Sequence, residues 1–272
     1  MSAQQLLGRP CADAIYAEVR KQLVNKTAKL VTVGFDEERW NQYCVSLSKS
    51  AANVGITCEQ VVLDGNVTPS EFAEAVTKVC KDSSVVGVMV QQPLPKEYAD
   101  VVNLIDVNKD VDCLNPLSVA RLYQGADGFR PATPQAVLRL LDYYGVDLQG
   151  KNVVIIGRGK AVGKPLMLMA LERNATVTVC HTKTRNLPQI CRNADVLISA
   201  CGVANLVTTD FVTCNSIVID VGLSFSNGKT CGDVSSEVYG KCQAVSPVPG
   251  GVGPVTRAVL FENLVKALNK SR

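Results

Sequence analysis

The chain has 272 residues, with 28 Lys and Arg against 25 Asp and Glu, one His, 11 Cys and 47% hydrophobic residues. That length supplies core for one large domain or two modest ones. A net charge of +3 with no Lys/Arg block excludes a nucleic-acid groove or an acidic membrane surface as the primary partner. The apolar runs, such as 88–90 and 153–156, fall far short of a bilayer span. The first ten residues carry neither a basic n-region nor an apolar h-region, so a cytoplasmic protein is expected. The cysteines are odd in number and form no Cys-x-x-Cys pair. Apart from Cys180 beside His181, none stands at a zinc-site spacing from the single histidine, and core filler is the reading, with no disulfide framework and no metal.

Short β-branched runs alternate with helical stretches, the signature of an α/β fold with mostly parallel sheets. In the first half, strands are expected over 30–33, 58–63 and 85–91, with helices over about 12–25, 41–53 and 69–79. Thr68 followed by Pro69 makes a well-formed helix start. From Pro93 to Pro134 the chain holds five prolines and several Asp and Asn residues, an irregular stretch of the kind that carries function. A helix then runs from Thr133-Pro134 to about Tyr144. Strands follow near 153–156, 176–179, 196–199, 217–221 and 243–245, and a last helix covers about 255–269. The economical organisation is two domains hinged near residue 135.

The segment Val153-Val-Ile-Ile-Gly157-Arg158-Gly159-Lys160-Ala161-Val162-Gly163 reads as a buried strand, a glycine-rich turn and a helix start. Glycines there let the backbone approach a pyrophosphate, whose charge is met by the helix N-terminus. The spacing is one residue longer than the usual dinucleotide fingerprint, and alone it is a weak signal. The next strand leads into His181-Thr182-Lys183-Thr184, where an NAD site would normally place an acid for the ribose hydroxyl. Hydroxyls and the cations Lys183 and Arg158 suit a 2′-phosphate instead, which favours NADP. His181 reads as a binding or structural residue.

Four further motifs surround the turn in order: Val90-Gln91-Gln92-Pro93-Leu94-Pro95, Lys109-Asp110-Val111-Asp112, Pro131-Ala132-Thr133-Pro134, and Pro247-Val-Pro249-Gly250-Gly251-Val252-Gly253-Pro254-Val255-Thr256. Together they make the whole chain resemble the bifunctional methylenetetrahydrofolate dehydrogenase/cyclohydrolase family. The resemblance implies a folate-binding catalytic domain over 1–135, completed by a C-terminal helix over 256–272 that packs back on it. It also implies a Rossmann-like NADP domain over 136–255, a cleft between the two, and a homodimer. Carried over by residue, Tyr43 stacks on the aminobenzoyl ring, Gln91 contacts the catalytic lysine, and Asp112 holds the pterin. Pro249, Gly250 and Gly251 join the substrate side. Gly157, Arg158, Gly159, Val162, Gly163, His181, Thr182, Lys183 and Thr256 form the cofactor side.

The departures from the family pattern carry the sharper expectation. Its lysine stands four residues after the tyrosine, on the same helix face; here that position is Leu47. Lys49 matches a second family lysine and lies well round the helix. Cys113-Leu114-Asn115 replaces Gly-Phe-His, and the segment before Tyr43 is one residue longer and lacks its usual serine. Hydride transfer from a methylene between two nitrogens moves no proton and needs orientation. Hydrolysis of the resulting cation needs proton transfers, which leucine cannot perform. The expectation is a retained NADP-dependent dehydrogenase with the cyclohydrolase step lost or impaired. A fully bifunctional enzyme and a non-catalytic binding relative stay open as alternatives.

Overall fold

The computed structural model describes residues 2–226 and 229–270. In chain order its elements are β1 (Gln4–Gln5), α1 (Gly8–Gln22), β2 (Ala28–Phe35), α2 (Glu38–Ala52), β3 (Ile56–Leu63), α3 (Pro69–Lys81), β4 (Gly87–Val90), α4 (Pro116–Tyr123) and α5 (Ala132–Tyr143). The chain continues through β5 (Asn152–Ile156), α6 (Gly163–Glu172), β6 (Thr176–Cys180), α7 (Leu187–Arg192), β7 (Val196–Ser199), β8 (Ile217–Asp220), β9 (Ser224–Ser226), β10 (Lys229–Cys231), β11 (Ala244–Val245) and α8 (Val252–Lys270). These group into two units, Ala14–Ala132 with Arg257–Arg272, and Met1–Asp13 with Thr133–Thr256.

The first unit is built on a parallel three-stranded sheet in the order β3-β2-β4. β2 is buried along nearly its whole length, as a central strand covered on both faces must be. The α3 start is a complete capping box, Thr68 with Glu71, with proline in the first turn. Its Phe72, Val76 and Val79 pack with Val31, Val33 and Val88 of the sheet. α2 buries Trp40, Cys44, Leu47 and Ala51, a single stripe at helical spacing. The part of α8 from Arg257 onward belongs to this unit. Asn263 fastens it, donating from Nδ2 to Val111 O at 2.8 Å and to Arg130 O at 2.9 Å.

The second unit carries a parallel six-stranded sheet in the order β1-β11-β8-β7-β5-β6. Strand order reverses at β5, with β6 on one side and β7 on the other, the Rossmann-like arrangement that places ligands beyond the carboxyl ends of the strands. Its core includes Val154, Ile156, Leu197, Val218 and Val245.

Several elements depart from the sequence expectation. Residues 1–13 group with the second unit, because the polar pair Gln4–Gln5 extends the large sheet beside β11. The proline-rich middle contains α4, started by Pro116 and by Asn115, whose side chain accepts the N–H of Leu117. α8 starts at Val252, with Pro254 accommodated in its first turn. β4 ends one residue before Gln91, which frees that side chain for the site described below.

Replacing Asn263 by alanine strands two buried carbonyls. Asn263→Ala is expected to lower unfolding stability by about 2 kcal/mol, measured by urea denaturation of the whole chain.

Candidate active site

Neighbouring parallel strands whose crossovers leave in opposite directions open a crevice at their carboxyl ends. In the three-stranded unit this point lies between β2 and β4, and Gln91 bridges it. Its backbone N–H donates to Val33 O at 2.9 Å, and its side-chain Oε1 accepts the N–H of Phe35 at 2.7 Å. With Oε1 fixed as the acceptor, Nε2 is the donor and gives a 2.8 Å bond to Glu37 Oε2. A Cβ on Gly34 would lie 2.6 Å from Gln91 Oε1 and would overlap the indole nitrogen of Trp40, so the close approach requires glycine there.

Trp40 stands three residues before Tyr43 on α2 and stacks on it, with ring centroids 5.8 Å apart and planes 19° apart. Its Nε1 is buried and has no hydrogen-bond partner among the described residues. One turn beyond Tyr43, Leu47 is completely buried, at 0% exposure. Lys49 is exposed and lines a surface depression with Asp36, Glu38, Asn41 and Gln42.

The Lys109-Asp110-Val111-Asp112 run divides its work by residue. Lys109 Nζ donates to Cys80 O and Asp82 O, both at 2.7 Å, closing the carboxyl end of α3. Buried Asp110 accepts the N–H groups of Leu114 and Asn115 at 2.9 Å each, which shapes the following turn. Cys113 within that turn is held at φ 58, the left-handed region, at a cost of about 1 kcal/mol for a residue with a Cβ. Asp112 is left to face its surroundings. Burial, and secondly the charge of Asp110, push its carboxyl up to about 7, against the opposing backbone N–H of Ala132. Burial and the nearby charge of Asp112 raise the Tyr43 phenol, while the cation Arg257 works against the rise. Tyr43, Asp112 and Arg257 therefore share one neighbourhood, with Gln91 joined to it through Gly34 and Trp40.

In the six-stranded unit the chain leaves β5 through Gly157, at φ 119. A Cβ on Gly157 would lie 2.5 Å from Ala200 O, just beyond β7, and one on Gly163 would overlap the Gly157 carbonyl. The turn can close so tightly only with glycine at both points. Arg158 and Gly159 are exposed at its crest, and Val162 leads into α6. After β6, His181 N–H donates to Thr184 Oγ1 at 2.9 Å and Lys183 N–H donates to His181 Nδ1 at 3.1 Å. Nδ1 being the acceptor, the ring proton sits on Nε2. Thr182 and Lys183 are exposed on this turn. An anion beside the α6 N-terminus would thus find cations and backbone donors together. Beyond β11, Pro249 and Gly250 are exposed and Gly251 is buried, its N–H donating to Pro247 O at 2.7 Å. The Thr256 hydroxyl donates within its own helix, to Val252 O at 3.3 Å.

Three residues of the three-stranded site carry no motif signal in the sequence. Glu37 is one of three consecutive acids, Trp40 is an isolated aromatic, and Arg257 follows directly on the proline–glycine motif. Only the packing brings them beside Gln91 and Tyr43.

Residues 6–112 match the family model for the tetrahydrofolate dehydrogenase/cyclohydrolase catalytic domain, and residues 131–272 match that for the tetrahydrofolate dehydrogenase/cyclohydrolase NAD(P)-binding domain. The bifunctional protein FolD of Clostridium perfringens is 46% identical over 224 residues, 81% of either chain. The crystal structure of the bifunctional FolD methylenetetrahydrofolate dehydrogenase/cyclohydrolase from Campylobacter jejuni superposes with a TM-score of 0.95 at 36% identity, covering 100% of both chains. The Trypanosoma brucei dehydrogenase–cyclohydrolase, solved with NADP cofactor and inhibitor, gives 0.93 at 31% identity, covering 100% of this chain and 99% of its own.

The raised Asp112 carboxyl has a stability signature. Between the ordinary carboxylate pKa and about 7, folding takes up a proton at this site, so its contribution to stability falls as pH rises through that window. Asp112→Asn removes the ionisation and is expected to raise the thermal midpoint at pH 8 by several degrees, with a smaller gain at pH 5. Scanning calorimetry of both proteins at the two pH values checks it.

Proposed function

The chain belongs to the tetrahydrofolate dehydrogenase/cyclohydrolase family, and we propose that it oxidises 5,10-methylenetetrahydrofolate to 5,10-methenyltetrahydrofolate with NADP, while hydrolysis onward to 10-formyltetrahydrofolate is lost or strongly impaired. The observation that carries this reading is the pairing of a fully buried Leu47 with a Gln91 whose donor already serves Glu37. The glycine turn fits a dinucleotide, since its exposed crest and the α6 N-terminus turn backbone toward an anion while Arg158, Thr182 and Lys183 stand ready for a 2′-phosphate. NADP, when bound, supplies the hydride acceptor.

In this reading the C–H electron pair leaves the methylene carbon, and the two flanking nitrogens spread the positive charge that remains. No proton changes place, so the protein's task is orientation. The ionised Asp112 carboxylate is a two-point acceptor for the amino and ring N–H edge of the pterin. Tyr43, backed by Trp40, offers a fixed aromatic face to the aminobenzoyl ring. Pro249, Gly250 and Gly251 complete the substrate contacts in the family pattern. The hydrolytic step needs a group that moves protons near neutral pH. Leu47 has none, the Tyr43 phenol, raised by burial, keeps its proton, and the Asp112 carboxyl, though it titrates at about 7, is in this reading committed to the pterin edge. The family pattern also carries a homodimer and a cytoplasmic setting into the proposal.

Conversion of methenyl- to formyl-tetrahydrofolate by the purified protein, measured beside NADPH formation from methylenetetrahydrofolate, tests this directly. The dehydrogenase rate is expected to exceed the enzyme-catalysed hydrolysis by about a hundredfold or more, the usual weight of a general acid–base group; comparable rates would overturn the reading. Leu47→Lys is expected to raise hydrolysis above the spontaneous rate, with a loss of stability because the ammonium enters a buried position.

A pH profile supplies a separate check on Asp112. With its carboxyl titrating at about 7, the ionised fraction rises about tenfold between pH 6 and pH 8. Binding through the carboxylate predicts that kcat/KM for the folate rises by the same factor, and that Asp112→Asn abolishes the rise.

A further inference from the structure

The carboxyl ends of β7, β8 and β11 meet around two buried aspartates that the proposed chemistry does not use. Asp233 is completely buried, at 0% exposure. Its Oδ2 accepts Ser199 Oγ at 2.8 Å and the N–H of Cys201 at 2.7 Å, and its Oδ1 accepts the N–H of Val203 at 2.7 Å. Asp233 itself is held by a second carboxylate. Asp220 Oδ1 accepts the N–H groups of Asp233 at 3.0 Å and Gly222 at 3.1 Å, and Asp220 Oδ2 accepts that of Val234 at 2.9 Å. The Asp220 backbone N–H in turn donates to Ser246 Oγ at 2.9 Å, just ahead of the proline–glycine turn. Any side chain at Gly222 would occupy the space of the Asp233 carboxylate.

The segment that Asp233 grips is the loop leaving β7, and Ala200 in that loop presents its carbonyl to Gly157, the first residue of the glycine turn. Turn and loop are the two lips of the β5/β7 crevice. We propose that Asp233 is a positioning residue for the cofactor: it holds the Ser199–Val203 loop in the one register that lets Gly157 close, and so sets the shape of the dinucleotide site. The inference rests on the NADP-dependent reading above. Three charge-assisted bonds into one five-residue loop make a rigid clamp. Among the described residues its partners are hydroxyl and backbone N–H donors, so the cost of burying the carboxylate is met by the loop that it fixes.

Asp233→Asn keeps the shape but turns one acceptor oxygen into an NH2 group, which faces either Val203 N–H or the Ser199–Cys201 pair. Calorimetric titration of the full chain with NADP is expected to show affinity weakened by about tenfold or more, the weight of a charged hydrogen bond, while KM for methylenetetrahydrofolate moves by less than about twofold. NADP affinity within about twofold of the wild type would overturn the proposal, as would parallel losses for both substrates. Hydrogen exchange on the unaltered protein reads the clamp without any variant. The Cys201 and Val203 amides are expected to be strongly protected before NADP is added, and exchange at unprotected rates would overturn the proposal. A wild type that binds NADP but leaves the folate unoxidised would overturn the reaction and not this clamp; failure to bind NADP would overturn both.

Discussion

A single side-chain amide determines the geometry on which the three-stranded site depends. Parallel strands end with backbone N–H groups that their neighbours no longer match, and at the β2/β4 crevice Gln91 satisfies one of them, at Phe35. Because an amide carries its acceptor and donor on opposite atoms, that bond decides where Nε2 points. It points at Glu37, the residue from which α2 starts. The helix entry is thereby tied to the strand end, and the Trp40–Tyr43 stack and the buried Leu47 follow from the rotation of that helix. A lysine on this face would compete for an amide already engaged on both sides.

The six-stranded unit solves the same topological problem with backbone instead. Gly157 and Ala200 touch across the β5/β7 crevice where any Cβ would intrude, and carboxylates behind the loop hold Ala200 in place. One crevice is thus closed by a side-chain amide and the other by glycine. The difference suits what each must accept: a rigid aromatic substrate needs walls, whereas a pyrophosphate needs bare backbone N–H groups.

Polar residues that look like a catalytic cluster in the sequence separate by role in the fold. In the Lys109–Asp112 run, three residues of mixed charge lie within four positions, yet Lys109 closes a helix, Asp110 builds a turn, and only Asp112 faces the candidate site. The turn beyond it carries Cys113 in a backbone conformation suited to glycine, a strain maintained by the Asp110 bonds and by Asn263 on the Val111 carbonyl. Thr256, by contrast, stands within a strong motif but spends its hydroxyl on its own helix.

Local pattern alone determined a good deal. Period and punctuation marked β2, β3, α3, β5 to β8 and the last helix, because each buries a face whose spacing is written in consecutive residues. The glycine turn and the motif order were legible for the same reason, being contiguous. Leu47 was also visible as the residue one helical turn beyond Tyr43, since it needs only a count of four. What the sequence could not carry was any partnership across the chain: Gln91 with Glu37, Trp40 against Gly34, Arg257 beside Tyr43, Asp233 on the loop after β7, and the polar Gln4–Gln5 as a strand. Most of these pair residues far apart in the chain, and even Gly34 and Trp40, six apart, meet across the turn into α2; hydrogen-bond satisfaction and close packing, and not periodicity, decide which atoms meet. Tertiary structure also set most of the Asp112 titration, because burial, the first cause of its shift, exists only in the folded chain, whereas the second, the charge of Asp110, is two residues away in the sequence.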